Sequence, residues 1–281
     1  MGANNTILSR IFTRNTFNEW VSSEETPVII QGVQKYLSNP NLKNRNVISE
    51  LYDIMQKSYR NEYIYKNTLL NKILLGRHSI NTSTALTEVP IEKSKADFIV
   101  INGKAMVYEI KTELDNLDRL EGQLSDYYKA FDNVCVVTSD SYYNDVLDLL
   151  KDTSVGICTL TSRKTISTKK EPEPNKSLLN HISMFKILRK NEYEQVLLKY
   201  YGDLPKTTQV KYYKECLKLF CEIELDIAYK YMLTELKKRS KLFQHEFHSV
   251  PYEIKWLVYF SEYKPHDYAE LEKFLNKDFR G

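Results

Sequence analysis

The sequence predicts an α/β protein in which a mixed β-sheet precedes an all-α C-terminal section. Residues 97–160 alternate between short apolar runs and amphipathic segments, while residues from 178 onward show only helical periodicity. A polar stretch with two prolines, Lys-Lys-Glu-Pro-Glu-Pro-Asn-Lys, separates the two parts. The length of 281 residues exceeds the roughly 100–200 residues usual for one domain. We therefore expect two domains.

The first part of the chain is predicted to be helical. Residues 1–45 contain helical pieces and no recognisable chemistry, and we interpret them as an N-terminal extension. Apolar residues recur at helical spacing over 46–59 and 62–75, which predicts two amphipathic helices. Gly76 then supplies a helix stop signal.

A β-hairpin is predicted next, because Asn102-Gly103-Lys104 separates the apolar runs Asp97–Ile101 and Ala105–Ile110. Beyond it, helix-like and strand-like segments alternate, which predicts parallel crossovers within the same sheet. The predicted segments are a helix over Leu117–Phe131, a strand over Val134–Thr138, a helix over Tyr142–Leu150 and a strand over Val155–Leu160.

These elements define the predicted domain organisation. The extension, residues 1–45, is followed by an α/β core over 46–161 and a proline-containing linker over 162–177. Residues 178–281 form the helical accessory domain, in which Gly202, Pro205, Pro251 and Pro265 interrupt the helices.

Composition excludes several classes of protein. No stretch of about 18 apolar residues and no N-terminal signal is present, so we expect neither a membrane span nor secretion, and place the protein in the cytoplasm. The four cysteines lack a zinc-like spacing, which favours reduced thiols. The chain has only 8 glycines and no glycine-rich phosphate loop, so ATP-driven chemistry is not expected. The net charge of +3 is compatible with a polyanionic partner but does not identify one.

Three charged residues lie at the ends of the predicted hairpin strands. Asp97 begins the first strand, and Glu109 and Lys111 end the second with only Ile110 between them. Because side chains alternate along a strand, Glu109 and Lys111 share a face, and the hairpin brings Asp97 to them. Two carboxylates can hold Mg²⁺ or Mn²⁺, with the main-chain carbonyl of Ile110 as a further ligand, and the ammonium can neutralise charge on a phosphate. The pattern therefore predicts metal-dependent hydrolysis of phosphodiesters; the alternative is a surface hairpin with a Glu–Lys pair.

The apolar context of these residues resembles the PD-(D/E)XK nuclease superfamily. Asp97 matches the first acid of that motif, Glu109 the second and Lys111 the lysine, while Ala96 replaces the usual proline. The resemblance implies an α-β-β-β-α-β nuclease core. The next helix carries Gln123 and Tyr127 at i, i+4, which resembles the Gln-xxx-Tyr motif of the RecB-like branch and implies that both support catalysis. An ordinary amphipathic helix face is the alternative.

The same resemblance implies an accessory acid near the metal. We predict Glu62 for this role, with Glu88 as the competing choice. The predicted function is that of a metal-dependent DNA nuclease in restriction, repair or antiviral defence. The alternatives are an RNA-directed nuclease and a non-catalytic nucleic-acid-binding or scaffold protein. A homodimer or an unknown partner protein is compatible with the sequence.

Lysines and tyrosines interleave in the helical section, as in Lys211-Tyr212-Tyr213-Lys214. Such residues can contact phosphates and stack on bases. Snorkelling lysines beside half-buried tyrosines are an equally good interpretation. Our hypothesis is that this section helps to select or position the substrate.

Overall fold

The computed structural model describes residues 6–23, 26–38, 42–58, 60–76, 82–239 and 244–280. The chain forms two compact units. The first consists of Met1–Leu75 together with Lys241–Gly281, and the second of Gly76–Ser240. None of the described helices is both long and apolar enough to cross a membrane.

The described part of the first unit is helical. Its N-terminal helices are α1 (Thr6–Ile11), α2 (Arg14–Ser23), α3 (Pro27–Tyr36), α4 (Asn44–Ser58) and α5 (Glu62–Leu69), which continues into a π-helical turn (Leu70–Leu74). Its C-terminal helices are α12 (Gln244–His248), α13 (Lys255–Tyr259), preceded by a 3₁₀ turn (Tyr252–Ile254), and α14 (Pro265–Asn276). The two helices predicted over 46–59 and 62–75 are thus confirmed.

Both ends of the chain build the core of this first unit. The ring of Trp20 on α2 packs edge-on against Phe274 on α14, with 5.1 Å between the centroids. The side-chain amide of Asn44 donates to the main-chain oxygen of Phe274 at 3.0 Å. Residues 6–23 and 26–38 are therefore part of a folded unit, where the sequence predicted a separate extension. The difference arises because their apolar residues find partners more than 200 positions away, which local periodicity cannot reveal.

The second unit is built on a six-stranded mixed sheet in the order β1-β2-β3-β4-β5-β6. Strands β1 to β3 are antiparallel, β3, β4 and β5 are parallel, and β6 is antiparallel to β5. The strands are β1 (Thr84–Ile91), β2 (Ser94–Asn102), β3 (Lys104–Ile110), β4 (Val134–Ser139), β5 (Gly156–Leu160) and β6 (Ile166–Lys170). The mixed α/β architecture predicted from sequence is therefore present.

The predicted hairpin is confirmed as β2 and β3. Gly103, in the turn between them, has φ +74°, a left-handed conformation that glycine adopts without steric penalty. Two helices cross over between the parallel strands: α6 (Leu120–Tyr128) connects β3 with β4, and α7 (Tyr143–Leu150) connects β4 with β5. These agree with the predicted alternation.

The segment predicted to be a linker, 162–177, is instead folded into the second unit. It contains β6, and beyond that strand Pro172 packs so closely on Gly156 that an added Cβ would lie 2.7 Å from its Cδ. The N–H of Asn175 donates to the main-chain oxygen of Asp132 at 2.7 Å. Pro172 therefore packs against the sheet, whereas the two prolines in the sequence predicted an extended linker.

The helices after this segment do not form a single domain. Four of them, α8 (His181–Ile187), α9 (Lys190–Tyr201), α10 (Gln209–Glu222) and α11 (Leu225–Lys237), belong to the second unit. Their buried side chains, such as Phe185 and Met232, join one apolar core with Ile99 and Val107 of the sheet. The remaining helices, α12 to α14, belong to the first unit. The predicted accessory domain 178–281 is all-α in its described residues but is divided between the two units.

Candidate metal centre

The hairpin of β2 and β3 places the first acid opposite the second. Phe98 pairs with Tyr108 in the antiparallel register, so continuing the register by one residue sets Asp97 opposite Glu109. Oδ2 of Asp97 accepts a hydrogen bond from the main-chain N–H of Ile110 at 2.9 Å. Alternation puts Asp97 and Glu109 on the sheet face that carries Ile99 and Val107, which is the face covered by helices.

Glu109 and Lys111 form a buried ion pair on this face. The Nζ of Lys111 lies 3.0 Å from Oε1 of Glu109, and the two side chains are only 11% and 2% exposed. The same Nζ donates to Oε1 of Gln123 at 2.8 Å. Two opposite charges are therefore held out of water at the end of β3, an arrangement that is expensive unless each charge is paired and hydrogen-bonded.

Helix α6 completes the cluster from above the sheet. Its residues Gln123 and Tyr127 lie one turn apart, so both side chains point toward the same part of the sheet. The hydroxyl of Tyr127 has two acceptors, Oε2 of Glu109 at 2.6 Å and the main-chain oxygen of Lys95 at 3.0 Å. Of the predicted site residues, Asp97, Glu109, Ile110, Lys111, Gln123 and Tyr127 are thus brought together.

The electrostatics of the cluster are dominated by desolvation. Burial raises the pKa of Glu109 above its ordinary range, and this effect exceeds the opposing influence of Lys111 and of the hydrogen bond from Tyr127. Burial also raises the pKa of Tyr127, and the neighbouring charge of Glu109 raises it further. Because the negative charge on Glu109 is costly here, an added cation would stabilise it.

The donor atoms fit a hard divalent cation. An ionised carboxylate has about four lone-pair sites, and Glu109 uses two of them, for Lys111 and for Tyr127. Oδ2 of Asp97 accepts a hydrogen bond from the N–H of Ile110, which holds this second carboxylate beside the end of β3. Oxygen ligands of this kind suit Mg²⁺ or Mn²⁺. The main-chain carbonyl of Ile110 stays a predicted ligand.

The two candidates for the accessory acid lie in different units. Glu62 begins α5 in the first unit, where its carboxylate pairs with Lys66 at 2.5 Å. Glu88 lies in the second unit on β1, between Thr87 and Val89, with φ +55° and its carboxylate 3.3 Å from Nζ of Lys95. The unbroken register places Glu88 opposite Asp97, and a carboxylate oxygen of Glu88 lies within 4.8 Å of one of Asp97. Glu88 belongs to the same unit as the cluster, and the choice between Glu62 and Glu88 stays a prediction.

The loop that follows Lys111 contains residues that the sequence analysis did not single out. One carboxylate oxygen of Asp115 accepts from both the N–H and the hydroxyl of Thr112 at 2.8 Å. The hydroxyl of Tyr142 donates to the main-chain oxygen of Asp115 at 2.9 Å. The spacing Thr-x-x-Asp, in which a side chain can cap a turn, was the available signal. These bonds fix the chain direction directly after Lys111.

Comparison with known proteins identifies the family. A family model described as Bacteriophage P4 protein cII matches residues 55–256. Protein cII of Enterobacteria phage P4 is 24% identical over 191 residues, which cover 66% of this chain and 67% of that protein. No solved structure matches the chain.

These matches correct the family prediction made from the sequence. The resemblance to the RecB-like branch of the PD-(D/E)XK superfamily depended on a few short motifs, and the family shown by the comparison is a different one. Short motifs of this kind are weak evidence, because Asp followed at a distance by Glu-x-Lys arises often by chance. The match to the family model extends over more than half of the sequence, and the chain therefore belongs to the family of bacteriophage P4 protein cII.

Proposed function

We propose that this protein is a metal-dependent nuclease that hydrolyses phosphodiester bonds in DNA, with Asp97, Glu109 and Lys111 at its centre. The observation that carries the proposal is the burial of the Glu109–Lys111 pair beside Asp97, with side chains 2% and 11% exposed. A buried charge pair is a poor device for stability, since apolar residues of similar volume usually do as well or better. In addition, Lys111 and Tyr127 do not offset the burial of Glu109, whose pKa stays raised, and a bound cation would supply the missing charge.

The location of the cluster supports the same proposal. Glu109 and Lys111 lie at the carboxyl end of β3, which is parallel to its neighbour β4. Ligands of open α/β sheets bind beyond the carboxyl ends of such strands. We propose that β1 to β3, α6 and β4 form the catalytic core.

Asp97 and Glu109 would hold Mg²⁺ or Mn²⁺, with Glu88 as a further candidate ligand. When bound, the ion supplies a Lewis acid that polarises a phosphoryl oxygen and acidifies water. Tyr127 holds Oε2 of Glu109, which leaves the remaining lone pairs of that carboxylate oriented for a cation. The side chains of α6 thereby act as positioning residues.

Lys111 would stabilise the charge that develops on the phosphate. Its ammonium is anchored by Glu109 at 3.0 Å and by Gln123 at 2.8 Å, so it needs little reorganisation when substrate binds. An ammonium has three donors, and these two contacts leave one for a phosphate oxygen or for the attacking water.

The test is cleavage of linear, circular and single-stranded DNA in Mg²⁺ or Mn²⁺ by the full chain and by Glu109→Gln and Lys111→Gln. We expect each variant to lose more than about 100-fold in rate, because even partners outside the coordination shell are worth 10–100-fold. Glu192→Gln is the matched control, since Glu192 is also buried and paired with a cation, Arg239, away from the cluster. Equal rates in all four proteins would refute the proposal, and an RNA competitor would identify an RNA-directed enzyme.

A second candidate is a non-catalytic nucleic-acid-binding or scaffold protein. It is favoured by the fact that both carboxylate oxygens of Glu109 already have protein partners, Lys111 and Tyr127. Calorimetric titration with Mn²⁺ separates the two candidates. Binding that is lost in Glu109→Gln supports the nuclease, and the absence of binding supports the structural alternative.

A further inference from the structure

The solvent-facing side of α10 is unusual in composition. Large apolar residues that are exposed concentrate in one part of the described chain, since seven of the eight lie between residues 178 and 213. On α10 these are Val210, which is 95% exposed, and Tyr213, which is 51% exposed. Exposed apolar groups that cluster in this way usually mark an interaction surface.

Lysines lie beside these apolar residues on the same helix. Lys211, Lys214 and Lys218 are all exposed and are spaced i, i+3, i+7. Because successive residues of a helix are turned by about 100°, seven side chains follow one another around the exposed side, in the order Tyr213, Leu217, Val210, Cys221, Lys214, Lys218, Lys211. We call this set the α10 face. Glu215 and Glu222, the two acids of α10, lie just outside the α10 face, next to Lys211.

The aromatic ring on the α10 face is held in place. Tyr213 packs edge-on against Phe185 of α8 at 5.3 Å and against Tyr193 of α9 at 6.2 Å. Next to Tyr213 around the helix, α10 is anchored in the core by Cys216 and Phe220, both fully buried. Half of a fixed ring is therefore presented to solvent, so little conformational entropy is lost when another flat group stacks on it.

We propose that the α10 face binds single-stranded nucleic acid, with phosphates on the three lysines and a base stacked on Tyr213. Rows of cations next to aromatic rings suit a single strand, whose unpaired bases have accessible faces. A duplex offers phosphates to the lysines but keeps its bases stacked inside, which would leave Val210 and Tyr213 without a partner. This inference rests on the proposed function and assigns its substrate as a single strand.

The test is binding of a fluorescent single-stranded DNA oligonucleotide to the full-length Glu109→Gln chain in EDTA, so that neither metal nor cleavage contributes. The set Lys211→Gln, Lys214→Gln and Lys218→Gln should lower the slope of log affinity against log salt by about 2, since each phosphate contact to a single strand contributes about 0.7. The set Lys104→Gln, Lys151→Gln and Lys230→Gln removes the same charge from exposed sites elsewhere and should leave the slope unchanged. Equal slopes in the two sets would overturn the proposal.

Separate substitutions test whether a base stacks on the ring of Tyr213. Tyr213→Leu should weaken binding about tenfold or more, in keeping with the stacking energy of one base, while Tyr213→Phe should bind as the parent does. Tyr143→Leu, at a part-exposed tyrosine of α7, is the control and should have no effect. Leucine and phenylalanine variants of Tyr213 that bind equally well, or a duplex competitor that displaces the strand as effectively as single strand, would contradict the assignment. If the unsubstituted chain cleaves no DNA in Mg²⁺ or Mn²⁺ while the Glu109→Gln chain still binds the single strand through Tyr213 and the three lysines, only the nuclease proposal is refuted.

Discussion

The second unit contains two buried glutamates, Glu109 and Glu192, each paired with a different kind of cation. Glu109 meets the single ammonium of Lys111 at 3.0 Å. Glu192 meets the guanidinium of Arg239 through two bonds, from Nε to Oε1 at 2.7 Å and from an Nη to Oε2 at 2.6 Å. The exposed fractions of the paired side chains are similarly low, 2% and 11% for the first pair and 6% and 13% for the second. Burial therefore does not distinguish them.

The difference lies in how well each anion is satisfied. Burial raises the pKa of both carboxyl groups, but at Glu192 the two bonds from Arg239 and a third from the N–H of Arg189 outweigh it and hold the pKa below its ordinary value. At Glu109 burial prevails and the pKa is raised. The Glu192 pair is thus complete within the protein, whereas Glu109 would gain stabilisation from an additional cation. This contrast separates a structural ion pair from a candidate metal ligand.

The largest expected effect is on stability. Glu192→Gln should reduce the free energy of unfolding by about 3 kcal/mol, because it leaves the guanidinium of Arg239 buried without its anion. Glu109→Gln should cost less than this, because burial already destabilises the Glu109 anion and Lys111 keeps its hydrogen bond to Gln123 at 2.8 Å. Urea denaturation of both variants measures the difference. Equal losses would remove the distinction drawn between the two pairs.

A bound metal ion should stabilise the folded protein through Glu109 and not through Glu192. Mn²⁺ at ten times its dissociation constant should add about 1.4 kcal/mol to the free energy of unfolding. The increment should vanish in Glu109→Gln and persist in Glu192→Gln. Thermal unfolding with and without the ion measures it, and an increment of equal size in both variants would show that the ion binds elsewhere.

A smaller effect is expected from the partner of Glu109 on α6. Tyr127→Phe keeps the buried ring but removes the 2.6 Å hydrogen bond to Oε2, which should cost about 1 kcal/mol. Metal affinity should fall roughly tenfold, as for other residues that orient a ligand. Tyr229→Phe is the matched control, because its hydroxyl donates to the buried acid Asp132 at 2.5 Å outside the cluster. An identical loss of metal affinity in both variants would count against a positioning role for Tyr127.

The smallest effect is a difference in pH dependence. Since the pKa of Glu192 is lower in the folded chain than its ordinary value of 4.5, the unfolded chain binds the proton more tightly. The stabilisation from this pair is therefore present above about pH 4.5 and is lost as the pH falls through the folded pKa. The free energy of unfolding of Glu192→Gln should fall less steeply over this acidic range than that of the parent. Parallel curves would show that the carboxylate contributes nothing as an anion.

Local sequence patterns were sufficient to predict the β2–β3 hairpin and to predict which of its side chains share a face. Asn102-Gly103 between apolar runs predicts the turn between β2 and β3, because glycine allows the required positive φ. The two-residue period then places Glu109 and Lys111 on one face, and helical spacing does the same for Gln123 and Tyr127. These inferences depend only on neighbours within a few positions, which is why they agree with the structure.

The family and the division into units could not be inferred in this way. Matching a few short motifs pointed to another superfamily, whereas comparison over residues 55–256 identified the family. The unit boundaries were missed because α14 completes the core around Trp20 from the far end of the chain. Contacts of such long range leave no local period in the sequence.

By itself, the sequence determined which elements form and which chemical groups lie on them, because propensity, turn geometry and side-chain alternation act over short distances. Only the tertiary structure decided the partners of those groups. It set the hydroxyl of Tyr127 at 2.6 Å from Glu109, gave Glu192 rather than Glu109 the guanidinium of Arg239, and drew the predicted linker into the sheet as β6. The physical reason is that desolvation and pairing of a charge depend on everything packed around it, and most of that lies far away in the chain.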